Sequence, residues 1–207
     1  MRRLPSKWAV LAAIFAAAVL ADQVTKFLAV DRLTLAFQRS GAEALTTRIG
    51  LFYSQRHLEG MARLPYTVWK PMWQMTYAEN PGAAWGLGRG LSEGTRNGFF
   101  MVVSIGAVAF ILNYCRRVTA RQRLLQVALA FVLSGAVGNF IDRVARQYVI
   151  DFVKWHWWNR PDLYWPIFNV ADSLIVVGVA LLMLHPAEKR GTEPARAAGG
   201  AGAAPRP

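Results

Sequence analysis

The chain has 207 residues, of which 54% are hydrophobic, with a mean hydropathy of +0.23 and a formal net charge of +12. That size admits one soluble domain or a few membrane spans with loops, and the apolar content favours the spans. The charge first suggests nucleic acid, but the basic residues flank apolar runs and do not gather with aromatics in one patch, which argues against that partner. The single cysteine, Cys115, excludes an internal disulfide and a multi-cysteine metal site, and packing at the inner end of a helix is its expected role.

The N-terminal stretch MRRLPSKWAVLAAIFAAAVLADQ has the basic start and apolar core of a cleavable signal peptide, with Val-Leu-Ala ahead of Asp22. The apolar run resumes as FLAV after Lys26, however, so residues 8–30 reach the ~20 needed to cross a bilayer. Asp22 and Lys26 stand four apart and share a helix face, as a structural ion pair or as part of a site. Residues 31–95 form a long polar interruption with β-prone pieces, TTRIGLFYSQRH and TVWKPMWQMTY, and a turn at Asn80-Pro81-Gly82. A small β-containing outer lobe is expected there, with Trp69, Trp73, Tyr77 and Trp85 in the headgroup belt.

Further spans are expected at about 97–115, 124–142 and 166–185, and residues 187–207 read as a disordered tail. The fold class is then an all-α membrane protein with four transmembrane helices and a small β-containing lobe. The two termini and the loop between spans two and three hold eleven Lys or Arg residues against Glu188 and Glu193. The positive-inside rule makes that side cytoplasmic, N-in and C-in.

The stretch from Gly138 to Ser173 carries the chemistry. It holds Asp142, Asp151, Asp162 and Asp172 between two apolar runs. Asp162, in NRPD, reads as a turn residue in water. Asp172 lies within the last apolar run, where an ionisable group is expensive and usually functional. With both runs spanning, their facing ends meet at one surface, and the link folds back so that Asp151 and Asp172 share a site. Two carboxylates at one spot suit general acid/base work on water. Asn139 and Asn169 need hydrogen bonds in an apolar setting, either orienting the site or holding helices together. Asp142 and Arg143 tie span three to the link, with Arg143 meeting a carboxylate or a lipid phosphate. Gly135 and Gly138 suit close helix packing, and His156 between Trp155 and Trp157 reads as interfacial. No H-E-x-x-H is present.

In order, DQVTK at 22–26, NPGAAWG at 80–86, GNFIDR at 138–143, VIDF at 149–152 and FNVADS at 168–173 resemble the motifs of the lipoprotein signal peptidases, signal peptidase II. Two parts lie outside the resemblance, since the segment from about 35 to 70 is longer than the family's and the tail is extra, and Trp85 stands where phenylalanine is commoner. The resemblance implies an aspartic endopeptidase with Asp151 and Asp172 as the catalytic pair. It places Asp22, Lys26, Asn80, Gly82, Asn139, Asp142, Arg143, Asn169 and Ala171 at the family's other characteristic positions. The implied substrate is a prolipoprotein already carrying diacylglycerol on its cysteine, cut before that cysteine in the bacterial inner membrane near its outer face. Membrane lipid and globomycin-type inhibitors are implied partners, with no cofactor and no metal. The competing reading is a small transporter or scaffold with a buried Asp/Lys relay; a lipid hydrolase with the same acid pair is a third.

Overall fold

The computed structural model describes residues 6–82, 90–158 and 160–184. In order they form α1 (Lys7–Leu33), α2 (Ala36–Arg39), α3 (Leu45–Ser54), a 3-10 turn at Glu59–Met61, β1 (Tyr66–Trp69), β2 (Trp73–Asn80), α4 (Glu93–Arg117), α5 (Arg123–Arg146), β3 (Val149–Trp157), β4 (Arg160–Tyr164) and α6 (Val170–Leu184). Serines start two of the long helices: the Ser6 hydroxyl accepts from Ala9 N–H at 3.2 Å and that of Ser92 from Thr95 N–H at 3.3 Å.

Among the described residues α1, α4 and α5 are long and apolar enough to cross a membrane. The described part of α6 has 15 residues, ~22 Å of helix, which is less than the usual span. It also starts later than the expected 166. Residues before it run extended along β3, and both Phe152 N–H and Val153 N–H donate to Phe168 O at 3.1 and 2.8 Å. Asp172 therefore sits in the first turn of α6 and not two turns inside a longer helix.

Small residues let α6 and α5 touch backbone to backbone. A Cβ at Gly135 would collide with the Ala171 carbonyl oxygen, and one at Gly178 would lie 2.8 Å from Ala128 O. Two apolar cores result. Leu11, Ile111, Cys115, Leu125 and Leu129 pack one where α1 begins and α4 ends, with Cys115 buried. Val30, Phe37, Phe52, Tyr77, Ile150 and Phe152 pack the other beneath the sheet.

The four strands form one antiparallel sheet in the order β1-β2-β3-β4. The expected hairpin over TVWKPMWQMTY is present as β1 and β2, with Tyr66 opposite Met75. Half of the sheet comes from elsewhere: β3 and β4 lie in the 149–164 link, so the β-structure is not confined to residues 31–95. TTRIGLFYSQRH is not β but mostly α3, because Leu45, Ile49 and Phe52 repeat at helical spacing. Three smaller expectations also change. Tyr77 is buried in the core, not in a headgroup belt. His156 is buried within β3, where its Nε2 pairs with Gln74 Oε1 at 3.0 Å. Asp162 is exposed, as expected, but lies in β4 and bridges Arg160 at 2.9 Å. Trp85 and residues 187–207 fall outside the described residues.

Candidate active site

Between the two cores lies a cluster of buried charges. Lys26, on α1, is fully buried, and its Nζ sits 2.9 Å from Asp22 Oδ2, one turn back, and 2.9 Å from Asp142 Oδ2 on α5. Its third contact is Asn139 Oδ1 at 3.0 Å. Arg146 closes the far side of Asp142 at 2.8 Å. Buried carboxylates need this many partners, because each charge loses its water. Asp22 also accepts from the Ala171 amide at 2.9 Å, and Asp142 from the Ile150 amide at 3.2 Å. The first contact anchors the start of α6, and the second anchors the start of β3.

These anchors deliver Asp151 and Asp172. The α5–β3 connection is only Gln147 and Tyr148, with Gln147 left-handed at φ 71°, closing the helix on Arg143 O. Three residues after Tyr148, Asp151 pairs with Ala78 across the sheet, which places Asn80 diagonally on the same face. Asn80 Nδ2 donates to Asp151 Oδ2 at 2.9 Å, while its Oδ1 takes the Gly82 amide at 3.1 Å. Asp172 belongs to a reciprocal helix cap: its amide donates to Asn169 Oδ1 at 2.9 Å, and its Oδ2 accepts from the Asn169 amide at 3.2 Å.

Asn169 links the two carboxyls, since its Nδ2 also donates to Asp151 Oδ1 at 2.7 Å. Asn139 completes the frame. Its Oδ1 faces the Lys26 ammonium and the Asn169 amide, so its Nδ2 is left to donate to Asp172 Oδ1 at 2.8 Å. The lysine therefore decides which end of the Asn139 amide meets Asp172.

Asp151 is 2% exposed, and burial, with the Asp172 carboxylate next in weight, pushes its carboxyl up to about 7. Asp172 is only partly buried and lines a cleft of about 340 Å³ together with Asn80, Gly82, Arg143, Trp165 and Ile175. The Arg143 guanidinium lies 5.2 Å over the Phe100 ring and donates to Asn139 O at 3.3 Å. Among the described residues its Nε has no hydrogen-bond partner. Among those same residues no three His, Cys, Asp or Glu side chains are arranged to hold a metal ion.

Comparison with known proteins identifies the family. The family described as signal peptidase (SPase) II matches residues 14–187. The chain belongs to the signal peptidase II family. The lipoprotein signal peptidase of Anaeromyxobacter sp. (strain Fw109-5) is 63% identical over 196 residues, 95% of this chain and 93% of its own. That of Symbiobacterium thermophilum is 40% identical over 179 residues, covering 84% and 93%. A bacterial membrane enzyme solved by the in meso method at 1.9 Å is 26% identical, with a TM-score of 0.62 over 85% of this chain and 91% of that one. A second such structure, at 2.3 Å, gives 0.59 over 85% and 86% at the same identity.

In this signal peptidase II chain the structure brings every site position expected from the sequence into one neighbourhood. Asp22, Lys26, Asn139 and Asp142 form the cluster; Asn80, Asp151, Asn169 and Asp172 form the frame; Gly82 and Arg143 edge the cleft. Ala171 is fully buried, its amide on Asp22. Among the described residues Arg143 pairs with no carboxylate; the residue that does is Arg146, which sequence reasoning passed over. Its spacing was a usable signal, because Asp142 and Arg146 are four apart on one helix. Gln23 was also missed. Its Nε2 lies 3.1 Å from Asp22 Oδ2 and 3.3 Å from Gly138 O. Gly138 itself is constrained by more than helix packing, since a Cβ there would stand 2.5 Å from Asp22 Oδ2.

Proposed function

We propose that this chain is an aspartic endopeptidase that removes the signal peptide from diacylglyceryl-modified prolipoproteins, cutting before the lipidated cysteine. The observation that carries this reading is Asn169, which holds Asp151 by its side chain and Asp172 by its backbone, beside an open cleft. Two carboxyls so placed share one proton over a wide pH range, and the titration belongs to the pair. The ionised member takes a proton from water as the water attacks the scissile carbonyl carbon. The protonated member gives its proton to the carbonyl oxygen, leaving a neutral tetrahedral gem-diol. On collapse the C–N bond breaks, the departing nitrogen takes a proton from the pair, and the gem-diol returns one to it. No covalent acyl-enzyme forms.

Each neighbour has a role in this scheme. Asn80 and Asn169 hold Asp151, and Asn139 holds Asp172 in the orientation dictated by Lys26. The free Nε of Arg143 faces substrate carbonyls or ester oxygens in the cleft, and a globomycin-type peptide inhibitor occupies the same space. The topology is four spans, with α6 entering from the carboxylate side, both termini cytoplasmic, and the site at the outer face of the bacterial inner membrane. The buried charged residues of the described chain, Asp22, Lys26, Asp142, Arg146 and Asp151, all gather around this one site. A proton-relay transporter needs such groups spread along its path, so the arrangement favours a hydrolytic site.

The test is to incubate purified full-length protein with a precursor peptide, with and without diacylglycerol on its cysteine, and to locate the cut by mass. The modified peptide alone should be cleaved, on the N-terminal side of the cysteine. Equal cleavage of both, a cut elsewhere, or release of fatty acid in place of peptide would overturn the proposal.

A further inference from the structure

A second concavity, of about 330 Å³, shares no lining residue with the cleft. Leu20, Val24 and Phe27 of α1 form one wall, and Leu45, Ile49 and Phe52 of α3 form the other. Its level in the membrane follows from α1. Lys7 marks the inner boundary, because its Nζ caps the end of α4 through Cys115 O at 3.1 Å, Arg116 O at 2.9 Å and Val118 O at 2.7 Å. At ~1.5 Å per residue Leu20 lies ~20 Å above Lys7 and Phe27 ~30 Å above it. The hydrocarbon layer is ~30 Å thick, so the groove occupies its upper third. Farther along, Asp31 pairs with Arg32 at 3.2 Å and Arg48 at 3.3 Å, as groups at headgroup level do.

The short helix α3 is therefore pressed against α1 at hydrocarbon depth, not held in water above the bilayer. Its composition agrees. Leu45, Ile49 and Phe52 follow one stripe, with Leu45 63% and Ile49 44% exposed, while Thr46, Thr47 and Ser54 are the exposed polar residues. The groove opens onto the exposed apolar surface of α1 at Leu20 and Val24, which the bilayer covers in a spanning helix.

We propose that the groove between α1 and α3 takes an acyl chain of a phospholipid from the leaflet nearer the carboxylates, and that this chain seats α3 as an in-plane helix. The seat matters to the charge cluster. Phe52 O accepts from Arg146 Nε at 2.8 Å, the Arg146 guanidinium stacks 3.9 Å over the Phe52 ring, and the Tyr53 hydroxyl donates to Gln23 Oε1 at 3.3 Å. Through α3 the lipid thus supports the same Arg146–Asp142 pair that anchors β3. The extended segment between the first span and the sheet acquires a purpose: it packs the charge cluster from the membrane side.

Nitroxide labels on Ile49→Cys and Thr47→Cys, in separate full-length chains in phosphatidylethanolamine/phosphatidylglycerol vesicles, test the depth; native Cys115 is buried and takes no label. The ratio of oxygen to nickel-chelate collision should be several-fold higher at position 49 than at 47. Equal nickel access at both positions would place α3 in water and overturn the proposal. Low access to both reagents at 49 would mean a protein covers it, which also overturns it. Intact mass in mild detergent tests the groove itself. The wild-type chain should carry one phospholipid, which the groove-filling Val24→Phe should lose and Val102→Phe on the open face of α4 should keep. No bound lipid, or equal retention in Val24→Phe, contradicts it. A circular dichroism spectrum matching wild type establishes that Val24→Phe is folded.

Discussion

Lys26→Met isolates the charge cluster. The methionine keeps most of the unbranched stem, so the loss reports the ammonium and not a cavity. In the wild type that ammonium is fully buried and contacts Asp22 Oδ2 and Asp142 Oδ2 at 2.9 Å each, and Asn139 Oδ1 at 3.0 Å. Removing it leaves Asp22 with hydrogen bonds only, from Gln23 and the Ala171 amide, while Asp142 retains Arg146. Breaking a buried pair from one side costs about 3–5 kcal/mol. At about 1.4 kcal/mol per tenfold, that lowers the folded-to-unfolded ratio by roughly two to three and a half orders of magnitude. Thermal and denaturant unfolding in one detergent would measure it. Asp22→Asn in the Lys26→Met background should restore part of the loss, with a coupling of roughly 0.5–3 kcal/mol because the two groups touch. Cleavage should fall further than stability, because the Asn139 amide loses the cation that points its Nδ2 at Asp172. A Lys26→Met chain within about 0.5 kcal/mol of wild type, or strictly additive single and double variants, would refute this account of the cluster.

Other outcomes are equally specific. Cleavage should decline as pH rises through about 7, where the pair gives up the proton that burial and Asp172 hold on Asp151. The same raised value sets stability: the folded state binds this proton more tightly than the unfolded chain. Its contribution is therefore complete below the ordinary 3.8 and lost as pH rises through about 7. Asp151→Asn should flatten that loss of melting temperature, and an unchanged slope would argue against it. Gly138→Ala sets a methyl 2.5 Å from Asp22 Oδ2 and should cost roughly 1–3 kcal/mol along with most activity. Wild-type melting and turnover in that variant would mean the α1–α5 contact is looser than the structure has it. Arg146→Met should destabilise by roughly 3–5 kcal/mol as a half-broken buried pair, and a surface-like effect would contradict its burial against Phe52.

Much of this was legible in the sequence, and the reasons differ by element. The long helices announced themselves by uninterrupted apolar runs, and the carboxylates by standing where charge is costly. The β1–β2 hairpin showed in its alternation. β3 was harder: VIDFVKWHW is buried on both faces for its first residues, so it lacks the period-two pattern of a half-exposed strand. α3 misled because Thr46, Thr47 and Ile49 are β-branched, and its helical stripe gains meaning only with α1 beside it. The extended stretch before Asn169 was hidden by its apolar residues, which read as the start of a span until β3 was there to pair with them. Arg146 and Gln23 were missed for a common reason: a polar residue at the end of an apolar run looks solvated until its buried partners are placed around it.

The central claim is that Asp151 and Asp172 act together on one water molecule, and cleavage of a diacylglyceryl-modified precursor by Asp151→Asn and Asp172→Asn tests it most directly. Each variant should insert and purify like wild type but cleave at least about 10²–10⁴-fold more slowly, the usual contribution of a positioned acid or base. Turnover near the wild-type rate by either one would contradict the shared-water mechanism.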